Sequence, residues 1–296
     1  NSKGDITDFE FERFSSFDCD HVYCIKVKIT PINHNGKISV ISGIDTRSKT
    51  TGQKAITPIS YEAWENKTFA HSKIGRKYGF ETGVTTVTNI SGTSSVWSGK
   101  NEGGLLYSFA EFDSKESNEY VVEKAVYIAS SREEDVKKPT ILEDSYDNYF
   151  KKHMWEYKKL YDMVNIEIEG DDIADSGIRF ANYHTLISAS RHDCIHSIAA
   201  KGLTGEMYKN FVWWDCEVYQ LPFFIHTCPE AAKMALMYRY NILEQAKINS
   251  KEDAIYFIKN RCNNCPHSNE MWSCSSHQAK LCEEKEEKVL QMIGRR

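Results

Sequence analysis

The spacing of apolar residues changes near residue 140 of this 296-residue chain, and this change constrains the fold more than any other feature. Before that point apolar and polar residues alternate, which is the pattern of half-buried antiparallel strands. After it apolar residues recur every three to four positions, which indicates helices packed on one face. The sequence therefore predicts a β region followed by a helical region.

Six segments before residue 140 show the alternating pattern, and turn-forming stretches such as Asn33–Gly36 separate them. Short antiparallel strands joined in this way are typical of a β-sandwich. The six segments are Asp8–Ser15, Tyr23–Thr30, Lys37–Asp45, Gly83–Ile90, Leu105–Phe112 and Tyr120–Ala129.

Three helices are predicted after residue 140. The first carries an aromatic stripe between residues 142 and 163, and the second a stripe that runs from Ile173 through Phe180 and His184. The third begins at Thr227–Glu230, a capping box with proline in the first turn. We therefore divide the chain into a sandwich domain (residues 1–140), a helical linker (141–170), a helical domain (171–248) and an atypical Cys-rich tail (249–296).

Composition argues against several classes of partner. The net charge of −5 gives no electrostatic reason to expect nucleic acid or an anionic membrane. No apolar run approaches the ~18–20 residues that a membrane span needs. Nine cysteines at irregular spacing indicate free thiols in a reducing compartment, and hence a cytoplasmic protein. Because the chain begins with Asn1, we expect its N-terminus to be cut from a longer protein.

Residues 201–224 form the segment with the highest density of aromatic and acidic side chains. Trp213, Trp214, Asp215 and Glu217 lie within five positions of one another, just before Leu-Pro-Phe-Phe. One interpretation is that these aromatic side chains belong to the core, as expected for Leu221, Phe223 and Phe224. The other is a sugar site, in which a Trp ring covers the C–H face of a pyranose and a carboxylate accepts hydrogen bonds from its hydroxyls.

The tail contains a second candidate site. A CxxC motif is followed after eight residues by a CxxH motif, and three thiolates with one imidazole would suit tetrahedral zinc. The alternative is that these cysteines bind nothing. The four candidate ligands are Cys262, Cys265, Cys274 and His277.

Residues 166–247 contain the motifs I-E-I-E-G-D, R-F-A-N-Y, A-K-G-L-T-G-E-M-Y, W-D-C-E, L-P-F-F and Y-R-Y. In these motifs the chain resembles the inverting disaccharide phosphorylases of glycoside hydrolase family 65, which include the maltose, kojibiose, nigerose and trehalose phosphorylases. Residues 11–45 also resemble the N-terminal sandwich of that family. The resemblance implies a sandwich, a linker helix and the start of an (α/α)6 barrel.

The resemblance also implies roles for individual residues. Trp214 and Asp215 match the Trp-Asp pair that contacts the glucosyl unit at the cleavage subsite, and Glu217 matches a residue expected to support them. The residues matched in the preceding loop, where a structural role is expected, are Lys201, Thr204 and Glu206.

In such a phosphorylase inorganic phosphate attacks the anomeric carbon, so the protein supplies a general acid and no second catalytic carboxylate. The family's acid is a glutamate that we expect downstream of this chain, and we assign no catalytic residue within it. The resemblance implies phosphorolysis of an α-glucosyl disaccharide to β-glucose 1-phosphate and a sugar, with no cofactor beyond phosphate, in a homodimeric full-length protein. The alternatives are a trehalase-like hydrolase of the same fold and a non-catalytic carbohydrate-binding protein.

An incomplete helical barrel has a further implication for the chain on its own. We expect it to have no phosphorylase activity, and to expose inward-facing side chains of its helices such as Phe223, Phe224 and Met234.

Overall fold

The computed structural model describes residues 4–47, 49–50, 53–54, 56–74, 80–200, 202 and 212–250. Eleven strands precede the first helix in these ranges, and a π-helix and three further α-helices follow it. The strands are β1 (Thr7–Ser15), β2 (Val22–Pro31), β3 (Gly36–Asp45), β4 (Lys49–Thr50), β5 (Gln53–Lys54), β6 (Ile56–Trp64), β7 (Lys67–Ile74), β8 (Phe80–Ser91), β9 (Trp97–Glu102), β10 (Leu105–Ser114) and β11 (Tyr120–Ser130). The helices are α1 (Tyr146–Tyr161), α2 (Asp172–Leu186), the π-helix (Cys216–Gln220), α3 (Leu221–Thr227) and α4 (Pro229–Asn241).

The strands form the antiparallel β-sandwich that the alternating pattern predicts. One sheet has the strand order β1-β2-β11-β8-β7-β6, the other has the order β3-β10-β9, and β4 pairs with β5 as a separate ribbon. The two larger sheets enclose an apolar core built on Ile29, Phe112, Tyr120 and Val122. The Phe112 and Tyr120 rings, one from each sheet, have centroids 4.9 Å apart.

Two pairs of hydroxyl groups inside the sandwich hydrogen-bond to each other. The Thr68 and Thr86 hydroxyls lie 2.7 Å apart between β7 and β8 and are buried. The Ser42 and Thr88 hydroxyls lie 2.7 Å apart and join the two sheets. Such pairing removes the penalty that buried polar groups otherwise carry.

Helix α1 covers the opposite face of the six-stranded sheet. Its Tyr146 side chain packs with the buried Val22 and Cys24, and burial raises the pKa of the Cys24 thiol to about 12. The helix begins with Ser145, whose side chain accepts a hydrogen bond from the Asn148 N–H as an N-cap. Helix α1 lies inside the range 142–163 that the aromatic stripe predicts.

Helix α2 has the predicted helical period but not the expected burial. Asp171 caps it by accepting from the Ile173 and Ala174 N–H groups, and the residues it buries are Asn182 and Leu186. The apolar stripe that includes Ile173 and Phe180 faces outward instead, with 86% and 66% of these side chains exposed. The periodicity gives the spacing of an apolar face, whereas burial depends on what lies against it.

Five strands have no counterpart among the predicted segments, namely β4, β5, β6, β7 and β9. Residues 68–72 of β7 are all buried, so this strand is covered on both faces and lacks the alternation of a half-buried strand. Most of β6 is exposed, so its sequence carries equally little alternation. The domain boundaries at residues 140, 170 and 248 stay predictions.

The chain divides into two compact units. The first takes in the sandwich, α1, α2, the π-helix and α3, and the second takes in α4 and residues 191–197. Among the described residues no helix has both the length and the apolar character needed to cross a membrane.

Candidate functional site

The Trp-Trp-Asp sequence lies at the start of the π-helix. Asp215 is its N-cap residue, and Trp213 and Trp214 come immediately before. The N–H groups of Glu217 and Val218 both donate to the Trp214 carbonyl oxygen, at 3.1 and 3.2 Å. Main-chain hydrogen bonds therefore hold the backbone that presents the two indoles.

The π-helical spacing is visible at the end of this short element. The Leu221 N–H donates to the Cys216 carbonyl oxygen, five residues earlier. Pro222 follows in the first turn of α3, where its missing N–H costs little. Single π-helical turns are uncommon and are found often at functional sites. Their presence beside Trp214 and Asp215 is consistent with a binding role for this segment.

Both indoles reach solvent. Trp214 is 65% exposed and Trp213 is 48% exposed, although neighbouring residues of a helix or strand point in different directions. Tyr219 of the same π-helix is 71% exposed. Large aromatic side chains are costly to leave in water unless they contact something, so this cluster is a candidate contact surface.

The segment below these rings is firmly packed. Cys216, Leu221 and Phe224 are buried, and the Phe223 and Phe224 rings meet edge to face with centroids 5.2 Å apart. The expectation that Phe224 is exposed is therefore wrong, because this residue is 1% exposed. Phe223 and Met234 are half buried. The core interpretation thus holds for Leu221 and Phe224, but not for Trp214.

Asp215 and Glu217 are both half buried. The Asp215 carboxylate makes no capping hydrogen bond to the π-helix. No other hydrogen bond or ion pair holds it within the part of the chain that the structure describes. A carboxylate in this condition can accept hydrogen bonds from a ligand's hydroxyls. The supporting role of Glu217 stays a prediction.

Helix α2 and the segment before it carry two of the sequence motifs. The Arg179 guanidinium donates to the Asp175 carboxylate at 2.7 Å, and this pair lowers the pKa of Asp175. The Asp175 carboxylate also accepts from the Ile168 N–H at 3.0 Å. Asn182 donates to the Val164 carbonyl oxygen at 2.7 Å. These side chains fix the entry into α2, and so act in the scaffold.

Several predicted residues lie outside the described ranges. They are the loop residues Lys201, Thr204 and Glu206 and the zinc candidates Cys262, Cys265, Cys274 and His277. The predicted loop role and the predicted zinc site therefore stay predictions.

The sequence did not single out Gln220. Its amide oxygen is buried and has no hydrogen-bond partner in the described structure. The sequence does show a glutamine directly before the apolar Leu-Pro-Phe-Phe run, where an apolar residue would pack without burying a polar group.

Two family models match the chain. Residues 1–160 match the glycosyl hydrolase family 65 N-terminal domain, and residues 179–256 match the glycosyl hydrolase family 65 central catalytic domain. The second match includes Trp214 and Asp215, the π-helix, α3 and α4.

Curated relatives are disaccharide phosphorylases by name. A 3-O-alpha-D-glucosyl-L-rhamnose phosphorylase from Lachnoclostridium phytofermentans is 41% identical over 84% of this chain and 34% of its own length. A kojibiose phosphorylase from Halothermothrix orenii is 30% identical over 84% of this chain and 35% of its own length. The chain thus spans about a third of the length of these relatives.

A solved structure has a similar fold. The chain superposes on a kojibiose-phosphorylase-like protein from the human microbiome with a TM-score of 0.72, over 84% of this chain and 34% of the other. The sequence identity of that pair is 22%, so the likeness concerns the fold alone. With a family model over more than half of its length, this chain belongs to glycosyl hydrolase family 65.

Proposed function

We propose that the chain supplies the sandwich and the glucosyl-binding residues of an inverting phosphorylase that acts on an α-glucosyl disaccharide. Its products are β-glucose 1-phosphate and a free sugar. The helices after residue 171 begin an (α/α)6 barrel, and the general acid belongs to sequence outside this chain. Family membership and the names of the relatives support this proposal.

One observation assigns glucosyl binding to particular residues. An indole that is 65% exposed, Trp214, is followed directly by the carboxylate of Asp215, which has no partner among the described residues. The indole offers an apolar face to the C–H side of a pyranose, and the carboxylate accepts hydrogen bonds from its hydroxyls. Buried Leu221 and Phe224 hold the segment beneath them.

The two residues contribute to catalysis by position and charge. Stacking on Trp214 fixes the plane of the sugar ring, so that phosphate can approach the anomeric carbon from one side. The Asp215 carboxylate strengthens its hydrogen bonds as positive charge develops on the ring in the transition state. The glycosidic oxygen still requires a proton, and we do not assign that step to Asp215 or Glu217.

The wider proposal concerns partners and compartment. Inorganic phosphate is the co-substrate, the protein has no resident cofactor, and the full-length protein is a homodimer in the cytoplasm. Five cysteines in the described ranges are free, which agrees with a reducing compartment. They are Cys19, Cys24, Cys194, Cys216 and Cys228.

Sugar titration tests the assignment. Residues 1–296 are titrated with glucose, maltose, kojibiose and phosphate, with tryptophan fluorescence as the readout. Trp214→Ala and Asp215→Ala should each weaken glucose binding by about 30-fold or more, because each removes a principal contact worth ~2–4 kcal/mol. Trp155→Ala is the matched control, since Trp155 on α1 is exposed to a similar extent, 67%.

Two outcomes would contradict the proposal. Equal effects of Trp214→Ala and Trp155→Ala on glucose binding would mean that the sugar does not bind at Trp214. Release of glucose 1-phosphate by residues 1–296 at an ordinary enzyme's rate would show that a carboxylate within this chain is the acid, because cleavage without one forfeits a factor of about 10²–10⁴.

A further inference from the structure

Four buried polar side-chain atoms lack a hydrogen-bond partner in the described part of the chain, and one of them lies beside the candidate sugar site. The four are Ser108 Oγ, His153 Nδ1, Ser197 Oγ and Gln220 Oε1. The Gln220 amide ends the π-helix that begins after Asp215. Leaving such a group buried and unpaired costs about 1–3 kcal/mol, so its presence calls for an explanation.

The geometry of the π-helix relates Gln220 to Asp215. Hydrogen bonds in this element join residues five apart, as the Leu221 N–H bond to the Cys216 carbonyl oxygen shows. Gln220 is five residues after Asp215, the spacing of a π-helical hydrogen bond, so the two residues lie about one turn apart along this segment. Both side chains are half buried. Both also present an oxygen that no described residue satisfies.

An apolar residue would suit this position better if packing were the only requirement. Gln220 is followed by Leu221, which is 5% exposed, and it shares the π-helix with Cys216, which is 1% exposed. A leucine or methionine at position 220 would remove the buried amide and bury more apolar surface. Retaining an unpaired amide here makes sense if a ligand completes its hydrogen bonds.

We propose that Gln220 is a specificity-determining residue, whose side-chain amide hydrogen-bonds one hydroxyl group of the sugar held by Trp214 and Asp215. This inference rests on the proposed function, and adds a third contact to the same site. An amide oxygen accepts from a hydroxyl, and its NH₂ group can donate to a neighbouring one. A site that satisfies a buried polar group only with a hydroxyl discriminates strongly against a sugar that lacks it.

The experiment compares glucose with its 2-, 3-, 4- and 6-deoxy analogues. Dissociation constants are measured for residues 1–296 and for Gln220→Leu, with tryptophan fluorescence as the readout. We expect one deoxyglucose to bind the unaltered chain at least about tenfold more weakly than glucose, because the hydroxyl group that it lacks is the one that pairs with the Gln220 amide. Gln220→Leu should abolish that one difference and leave the other analogues in the same order. Gln220→Met repeats the test should the leucine variant fail to fold.

The outcomes separate this inference from the proposed function. Trp214→Ala should weaken binding of glucose and of all four analogues together. If the unaltered chain binds glucose and Gln220→Leu keeps the same preference among the analogues, Gln220 has no role in specificity while the proposed function stands. If the unaltered chain binds no sugar, the proposed function and this inference both fail.

Discussion

The core of the β-sandwich and the apolar stripe of α2 differ in how far their side chains are buried. In the sandwich, Leu106 is fully buried and Phe112 is 5% exposed. In α2, Ile173 is 86% exposed and Phe180 is 66% exposed, although both lie on one stripe of the helix. The sandwich therefore encloses its own core, whereas α2 carries an apolar face that is not covered within the described structure.

Polar groups show a smaller difference. Inside the sandwich the Thr68 and Thr86 hydroxyls pair with each other, although the buried Ser108 hydroxyl has no partner in the described structure. Around the π-helix, the Asp215 carboxylate and the Gln220 amide oxygen have no such partners among the described residues. Unpaired polar groups therefore occur in both regions, and those of the π-helix segment differ in being close in sequence to the exposed Trp214.

Truncating one phenylalanine in each region should give the largest contrast. Phe112→Ala is expected to lower the free energy of unfolding by about 3–5 kcal/mol, because it leaves a cavity between the sheets. Phe180→Ala, at an exposed position, should change it by no more than about 0.5 kcal/mol. Urea unfolding followed by circular dichroism measures both. Similar losses would mean that α2 is as tightly packed as the sandwich.

A single added methyl group should also disrupt the sandwich. A Cβ on Gly43 would lie 1.8 Å from the Leu106 carbonyl oxygen and 2.6 Å from the Tyr107 Cα. Gly43→Ala should therefore force backbone shifts in β3 and β10 and cost about 1–3 kcal/mol in unfolding free energy. Gly36→Ala in the same strand is the control, since its Cβ would meet only the His34 Nδ1, at 3.8 Å. Equal stability of the two variants would contradict this account of β3.

The contact between the sandwich and α1 should weaken in acid. The His153 ring of α1 stacks on Phe14 of β1 with centroids 4.8 Å apart, and its buried Nδ1 has no partner in the described structure. Burial lowers the pKa of His153 below its ordinary value. The unfolded chain therefore takes up a proton at a higher pH than the folded chain, and the free energy of unfolding should fall as the pH is lowered through the ordinary histidine pKa.

Urea unfolding at about pH 7.5 and about pH 5.5 measures this dependence, and we expect a smaller effect than that of Phe112→Ala. His153→Phe keeps the stacking and should flatten the pH dependence. Trp155→Phe, at an exposed position of the same helix α1, carries no titratable group and should leave it unchanged. A pH dependence that persists in His153→Phe would assign the acid sensitivity to other groups.

The smallest expected effect is a gain in stability within α2. Gly177 lies inside this helix, and a Cβ there would meet no atom within 4 Å. Gly177→Ala should raise the free energy of unfolding by about 0.5–1 kcal/mol, through lower backbone entropy in the unfolded chain. Gly170→Ala has equally open space but a backbone φ of +84°, so thermal unfolding should show a loss there. A loss at Gly177 would mean that its face is covered.

Sequence periodicity was sufficient to predict the position of an element where that element has one buried and one exposed face. The alternation at the end of β10 and the stripe in α1 meet that condition, and both elements lie close to their predicted positions. It failed for β7, because residues 68–72 are buried on both faces, and it gave the wrong burial for Phe180. Periodicity shows which apolar residues share a face of a strand or helix, but it does not show whether another element covers that face.

The candidate site was predictable only through whole motifs. The Trp214–Asp215 pair was identified because its flanking motifs resemble a family, and the structure places the exposed Trp214 and the half-buried Asp215 at the start of the π-helix. Gln220 was missed because five residues are too few to reveal a π-helical period, and the unpaired amide is visible only in three dimensions.

The π-helix has a consequence for how this site tolerates changes in chain length. A π-helical turn contains one residue more than an α-helical turn, so it acts as a one-residue insertion between Asp215 and Leu221. Deleting one residue there would restore α-helical hydrogen bonding, and would turn the indole of Trp214 relative to Leu221 by much less than the about 100° that a deletion in a continuous α-helix causes, because the wide turn already absorbs the extra residue. The π-helical turn is therefore the place in this segment where the chain can lose one residue with the smallest change in the direction of the indole.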